Sequence, residues 1–216
     1  GVMSHLSSAD GADTEDVVFT HEQVLEFRES CRDLSIGIIR HLGNSAGALA
    51  YPDCRLDAVR PGLMLYGIWP FPDFQPRSGL SPESLKPVMS VKTTVLAVRK
   101  IAPGTPVSYG RVHMARKPGK IAVIPAGYAD GVPRKLSNRG AVLIGGKRRN
   151  ILGNVKMDYI MVDVSGPPEV YPGDEAVIMG KQGKEQITAW GIALQAETIP
   201  YEITCNISKR VTRMPY

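Results

Sequence analysis

The sequence predicts an α/β portion followed by a mostly β portion: the C-terminal strands and helices of a (β/α)8 barrel, then a barrel-like β domain. Three observations carry this expectation. Up to Gly67 the chain alternates extended apolar stretches with helical ones, the rhythm of parallel strands and their covering helices. A Pro- and Ser-rich run, "WPFPDFQPRSGLSPESLKP", interrupts that rhythm and marks a boundary. Beyond it "VMSVKTTVLAVRKI" alternates at period two, and short apolar segments follow, each ended by Gly or Pro. The expected domains are 1–85 and 86–216. A complete eight-stranded α/β barrel needs roughly 250 residues, so the first portion supplies only its last strands.

The elements follow in order. "GVMSHL" reads as a buried strand ending at His5, and "SSADGADTED" as a polar loop. From Thr20, "THEQVLEFRESCR" carries apolar Val24, Leu25 and Phe27 and reads as an amphipathic helix. "LSIGIIRHLG" is an apolar strand, and "NSAGALAY" a helix start capped by Asn44 or Ser45. "LDAVRPGLMLYG" returns to an extended segment with a turn at Arg60-Pro61-Gly62. In the second portion "VMSVKTTVLAVRKI", "IAVIPAGYADG", "AVLIGGKRRNILG", "YIMVDVSG" and "EAVIMG" read as strands. "ITAWGIALQAE" is a lone helix, and "ITCNISKRVTRM" a closing strand-like segment.

Composition narrows the function classes. With 43% hydrophobic residues the chain can bury a real core, yet no apolar run is long enough to span a bilayer. There is no secretory signal, and the chain opens "GVMSHLSS" without an initiator Met, which reads as the interior of a processed or partial product. Net charge is +5, but the basic residues are dispersed, with short clusters at Arg134-Lys135 and Lys147-Arg148-Arg149. Nucleic-acid binding requires more charge on one face, so a nucleic-acid partner is not expected. Cys31, Cys54 and Cys205 are far apart and read as reduced thiols packed as small apolar residues in a cytoplasmic protein. They and His5, His21, His41 and His113 show no metal-ligand spacing, so no metal is expected.

Three short stretches carry possible chemistry. In "HLGNSAGAL" a strand ends and a helix begins, so free amides and the Ser45 hydroxyl suit an anion such as phosphate; from this motif alone an ordinary helix cap is the favoured reading, because such caps are so common. In "RPGLMLYG" Arg60 offers a planar charged fork beside Gly62, where a ligand can approach the backbone; a surface arginine after a strand is the alternative. In "VSYGRVHMARKPGKIAVIPAGYADG" Tyr109 and Tyr128 both stand beside glycines. A tyrosine acts as acid or base only with neighbours that lower its pKa from about 10, and His5 is a candidate neighbour. A half-buried strand tyrosine is the plain alternative.

The motifs "HLGNSAGAL", "RPGLMLYG", "VSYGR", "IPAGYADGVPR", "GNVKMDYIMVDV" and "IPYEITCNISKRVTR" occur in this order and at suitable spacing. Together the chain resembles the bacterial alanine racemase family from Gly1 to its end. The resemblance implies pyridoxal 5′-phosphate as cofactor and a small amino-acid substrate. It implies interconversion of L- and D-alanine by two-base proton transfer, supplying D-alanine for peptidoglycan. It also implies a homodimer whose active sites are shared between subunits. On that reading Ser45, Gly62 and Leu63 hold the cofactor phosphate with Tyr201, and Arg60 faces the pyridine nitrogen. Tyr109 is one of two catalytic bases, and His5 packs near Arg60 and bonds Tyr109. Met157 binds the substrate carboxylate through its backbone, and Tyr128 lines the entrance.

The match has departures. No "KANAYGHG"-like segment with the cofactor-bearing lysine is present, nor a "GMGR"-like segment with its arginine. The chain resembles only the later part of a racemase. The expectation is that the missing barrel segment lies on a separate chain or was removed, and that residues 1–216 alone are inactive. Lys156 stands where many relatives have cysteine, which leaves serine or a broader amino-acid range open; Lys209 and Thr212 also depart from the pattern. A decarboxylase of similar layout calls for a glutamate in place of Arg60. A catalytically dead β-domain binding module need not keep Tyr109, Arg60, Ser45 and Tyr201 together.

Overall fold

The computed structural model describes residues 1–71 and 81–215. The chain divides into two compact units, Gly1–Val88 and Met89–Tyr216, each described here by itself. Part of the Pro- and Ser-rich boundary run, residues 72–80, lies outside the described residues.

In the first unit β1 (Val2–Met3) runs parallel to β2 (Arg40–His41), with Val2 beside Arg40 and Met3 beside His41. A parallel bridge from His41 to Ala58 adds a third extended segment. Parallel neighbours need a crossover, and α1 (Thr14–Ser30) supplies the first. Asp13 caps this helix by accepting from the Asp16 amide, and Glu15 and Asp16 complement its N-terminal dipole. The helix therefore begins at Thr14 and not at Thr20: its first turn is polar because capping requires it, which hides it from a search for apolar period. It buries Thr20, Val24 and Phe27. The second crossover holds α2 (Ser45–Ala50), capped by Asn44, whose side chain accepts from the Gly47 amide at 2.8 Å. Leu6, Val24, Phe27, Leu42, Leu49 and Tyr51 meet in the core between helices and strands.

Two expected strands shrink. Of "LSIGIIRHLG" only Arg40–His41 is paired; Leu34, Ile36, Ile38 and Ile39 are exposed. Pairing exists only where β1 runs alongside, so apolar character before Arg40 does not produce a ladder. "LDAVRPGLMLYG" keeps just the Ala58 bridge and then tightens into a 3-10 turn at Leu63–Tyr66, closed by Gly67 in the left-handed region at φ 68°.

The second unit is a closed circuit of antiparallel strands. β3 (Val91–Thr94) and β4 (Ala97–Ile101) are consecutive halves of one run. Two further short strands, β5 (Pro106–Val107) and β6 (His113–Met114), pair with each other. The remaining strands are β7 (Gly119–Ile124), β8 (Ala141–Ile144), β9 (Lys147–Asn150), β10 (Ile160–Asp163), β11 (Glu175–Gln182) and β12 (Glu185–Ile187). β4 pairs with β7, and β7 with β10. An Ile151–Val162 bridge carries the order from β10 to the end of β9. β9 pairs with β8, β8 with β11, and β11 with β3, which closes the ring. The period-two pattern thus wraps one core, in which Ala122, Ile124, Leu143, Ile160, Val162 and Val177 are fully buried. Closure also removes the free edges that open sheets must otherwise protect.

Two helices follow, not a lone one: α3 (Ala189–Ala196), capped by Thr188, and α4 (Pro200–Cys205). The closing strand expected at "ITCNISKRVTRM" is absent. Pro200 pre-sets the helical φ at the first position, and Ile203 is buried, so the start of that segment coils. Its irregular remainder is tied down by Arg210, which binds Asp130 at 2.7 Å and Asp158 at 2.9 Å. Cys31 and Cys54 are buried as expected, but Cys205 is exposed at the end of α4.

Candidate active site

In the first unit three strand ends converge on one guanidinium. Arg60 follows the bridged Ala58 and turns back across its neighbours. Its Nη1 donates to the His41 carbonyl at 2.8 Å, and its Nη2 to the carbonyls of Ser4 at 2.6 Å and Leu42 at 3.4 Å. Nη1 also lies 2.7 Å from His41 Nδ1, and Nη2 3.3 Å from His5 Nδ1. Arginine has only donors, so both Nδ1 atoms accept and both rings carry their proton on Nε2. The segment bearing Arg60 is locked in register by Asp57, which accepts from the Arg40 amide and from Arg40 Nε, each at 2.8 Å. Those bonds and the Arg40 charge hold the Asp57 carboxyl down to about 2.

Beside this cluster lies a small donor cradle. The buried Ser45 hydroxyl accepts the Gly62 amide at 2.9 Å and the Met64 amide at 3.3 Å. With both lone pairs engaged, its own proton has no acceptor among the described residues and is left to donate. The Leu63 amide begins the 3-10 turn and has no acceptor among the described residues. A Cβ placed on Gly62 meets nothing within 4 Å, so the backbone is open on that side. Ser45, Gly62 and Leu63 therefore come together, and Arg60 is joined to Gly62 through Pro61. The cap function falls to Asn44, which leaves the Ser45 hydroxyl for this second task.

In the second unit the loop 153–157 organises the other candidates. Ser108 Oγ donates to the Asn154 carbonyl at 2.9 Å, and Asn154 Nδ2 returns a bond to the Tyr109 carbonyl at 3.0 Å. Ser108, Gly110 and Arg111 all hold positive φ, at 69°, 69° and 53°, so the backbone around Tyr109 folds outward. The phenol is 73% exposed, and Lys156 Nζ lies 5.2 Å from its ring centroid. The Lys156 and Met157 carbonyls accept the amides of Tyr128 and Ala129 at 2.9 and 3.0 Å. Gly127 is required here for space: a Cβ there falls 2.2 Å from the Lys156 carbonyl oxygen. The Met157 amide has no acceptor among the described residues. Tyr109, Tyr128 and Met157 thus share one loop system, while Tyr201 sits half-exposed on α4. Sequence reasoning missed His41 and Asn154. His41 had a signal, since it ends an apolar stretch immediately before "LGNS", but Asn154 offered none.

A parallel α/β unit with an arginine and a donor cradle at its strand ends, together with a closed β unit presenting an exposed tyrosine, defines a two-domain protein of the barrel-plus-β class. Residues 1–70 match the family Alanine racemase, N-terminal domain, and residues 88–215 match Alanine racemase, C-terminal domain. The chain belongs to the alanine racemase family. An alanine racemase of Halothermothrix orenii is 44% identical over 217 residues, covering 99% of this chain and 55% of the relative. The crystal structure of alanine racemase from D-cycloserine producing Streptomyces lavendulae superposes with a TM-score of 0.87 at 34% identity, covering 100% of this chain and 56% of that one. That of Bartonella henselae alanine racemase, solved with covalently bound pyridoxal phosphate, gives 0.84 at 32% identity, covering 100% and 56%. The chain spans about half the length of the curated relatives it matches.

Proposed function

We propose that this chain is the later part of a pyridoxal 5′-phosphate-dependent racemase that interconverts L- and D-alanine. The observation that carries the reading is the pairing of a fixed guanidinium, Arg60, with an adjacent donor cradle of Ser45 and Leu63. This donor set suits a phosphorylated pyridine. Ser45, Gly62 and Leu63, joined by Tyr201, would hold the phosphate, and Arg60 would serve the ring nitrogen. The chemistry that pyridoxal phosphate would supply when bound is withdrawal of electron density from Cα of the amino acid, which would make its hydrogen removable.

The chain's own residues do the rest. Arg60 remains a cation and gives up no proton to the ring. His5, accepting from Arg60 at Nδ1, offers its Nε2 proton to the phenol of Tyr109. Tyr109 takes or returns the Cα proton on one face, and a second base serves the other. The open Met157 amide receives the substrate carboxylate, and Tyr128 lines the way in. The exposure of Tyr109 in its own unit supports a homodimer in which it serves the site of a second copy. No helix among the described residues is long and apolar enough to cross a membrane, and three free cysteines fit the cytoplasm, where D-alanine enters cell-wall synthesis.

The test is racemisation with added cofactor. The 216-residue chain alone is expected to form no D-alanine, because it offers no lysine in the family's cofactor-bearing context. Mixed with the N-terminal barrel portion of the Halothermothrix orenii relative, it is expected to convert L-alanine. Turnover by the chain alone, or none in the mixture, overturns the proposal. Serine assayed in parallel reports the breadth of specificity.

A further inference from the structure

The half-buried Lys156 carries an ammonium with no carboxylate partner among the described residues. Acidic groups stand close in sequence and space, but Arg210 takes both Asp130 and Asp158. What Lys156 Nζ meets instead is the face of Tyr109, 5.2 Å from the ring centroid. Its backbone is fixed at both polar groups: the amide donates to Tyr159 at 3.0 Å and the carbonyl accepts from Tyr128 at 2.9 Å. The Tyr109 backbone is equally fixed, through Asn154. The phenol ring, by contrast, is mostly exposed, and no hydrogen bond to its hydroxyl exists among the described residues. Among the described residues, the directional contact that selects a ring orientation is the cation over its face.

We infer that Lys156 is a positioning residue: its ammonium holds the ring of Tyr109 in the orientation from which the hydroxyl exchanges a proton with the substrate. A cation over a phenol face is attracted by the ring quadrupole, and the attraction strengthens where water is excluded. The kinetic part of this inference rests on the racemase reading; the contact itself does not.

Two measurements test it. In the full 216-residue chain, with lysine labelled at its ε-carbon, the Lys156 ε-protons are expected upfield of the other lysines from the ring current of Tyr109. The shift should vanish in Tyr109→Leu. In the complemented racemase, Lys156→Met is expected to lower kcat by about three- to ten-fold with little change in KM for alanine, and Lys156→Arg to restore most of it. An unshifted Lys156 resonance, or a shifted one with unchanged kcat in Lys156→Met, overturns the inference. A wild type that shows the shift but racemises nothing overturns the proposed function and the positioning role with it, while leaving the lysine–phenol contact standing.

Discussion

The guanidinium of Arg60 reaches the ring of His5, 55 residues earlier in the chain, at 3.3 Å, by crossing the end of β2, which runs between their two segments. The same fork serves the carbonyls of Ser4, His41 and Leu42. A planar group that spans several acceptors is not replaced by a point charge. Arg60→Lys is therefore expected to leave at least two of these acceptors unpaired and to destabilise the chain by about 1–3 kcal/mol, read from its urea midpoint. A shift of a few tenths would mean that the carbonyl array does not depend on the fork.

Ser45 is the neighbouring keystone. Ser45→Ala removes the acceptor of the Gly62 and Met64 amides inside a buried pocket. The expected cost is about 1–3 kcal/mol in chemical denaturation. If the cradle holds the cofactor phosphate, pyridoxal phosphate affinity should fall on the order of ten-fold as well. Lost stability with unaltered cofactor affinity would reduce Ser45 to a structural post.

For Tyr109 the decisive readout is directional. Tyr109→Phe keeps the ring and removes the proton-carrying oxygen. In the complemented enzyme it is expected to slow racemisation by about 100-fold or more. Incorporation of solvent deuterium at Cα should persist from one enantiomer and fail from the other, because the second base is untouched. Equal loss from both enantiomers would place the phenol outside the proton path.

Much of this was legible in the sequence where a local signal coincides with the function. "RPGL" marks Arg60 because Pro and Gly punctuate the strand end, whereas "GNSAG" by itself marks a helix cap and points to the cradle only through the family resemblance. The barrel-like β unit was legible from one period-two stretch and the short apolar segments, ended by Gly or Pro, that follow it. The strands at Leu34–Ile39 were over-read because apolar character does not say whether a partner strand lies alongside. The helix at Pro200 was missed because "ITCNIS" alternates like a strand; Pro200 at its first position and the burial of Ile203 decide for the helix. Tyr109 was opaque without the family resemblance: its outward turn depends on three positive-φ residues, two of them not glycine. His41 and Asn154 act through partners far away in sequence.

The glycines beside the tyrosines divide by cause. Gly110 adopts φ 69°, whereas Gly127 has φ −148°, a conformation any residue accepts. What Gly127 supplies is closeness, since an added Cβ sits 2.2 and 2.3 Å from the Lys156 and Met157 carbonyl oxygens. Gly127→Ala is expected to push the two loops apart and cost about 1–3 kcal/mol by thermal or urea unfolding. Hydrogen exchange should accelerate at the Tyr128 and Ala129 amides, which bond those carbonyls. Unchanged protection there would show that the loops tolerate a methyl group and that the contact is loose.

The register lock beneath Arg60 titrates. Asp57, hydrogen-bonded by Arg40, is held at about 2 when folded, against 3.8 for the ordinary side chain. A carboxyl lowered on folding stabilises the folded state in full above its unfolded value, and that contribution is lost as pH falls through the folded one. The window thus lies between about 4 and about 2. Other acids, Glu197 among them, are lowered too and steepen the acid limb of the wild type. Comparison with Asp57→Asn removes their share, because they titrate alike in both proteins. The wild type should lose stability more steeply than the variant across that window, and the two curves should converge at its acid end. Parallel curves from pH 5 to 2 would mean that the Arg40–Asp57 pair does not lock the segment that carries Arg60.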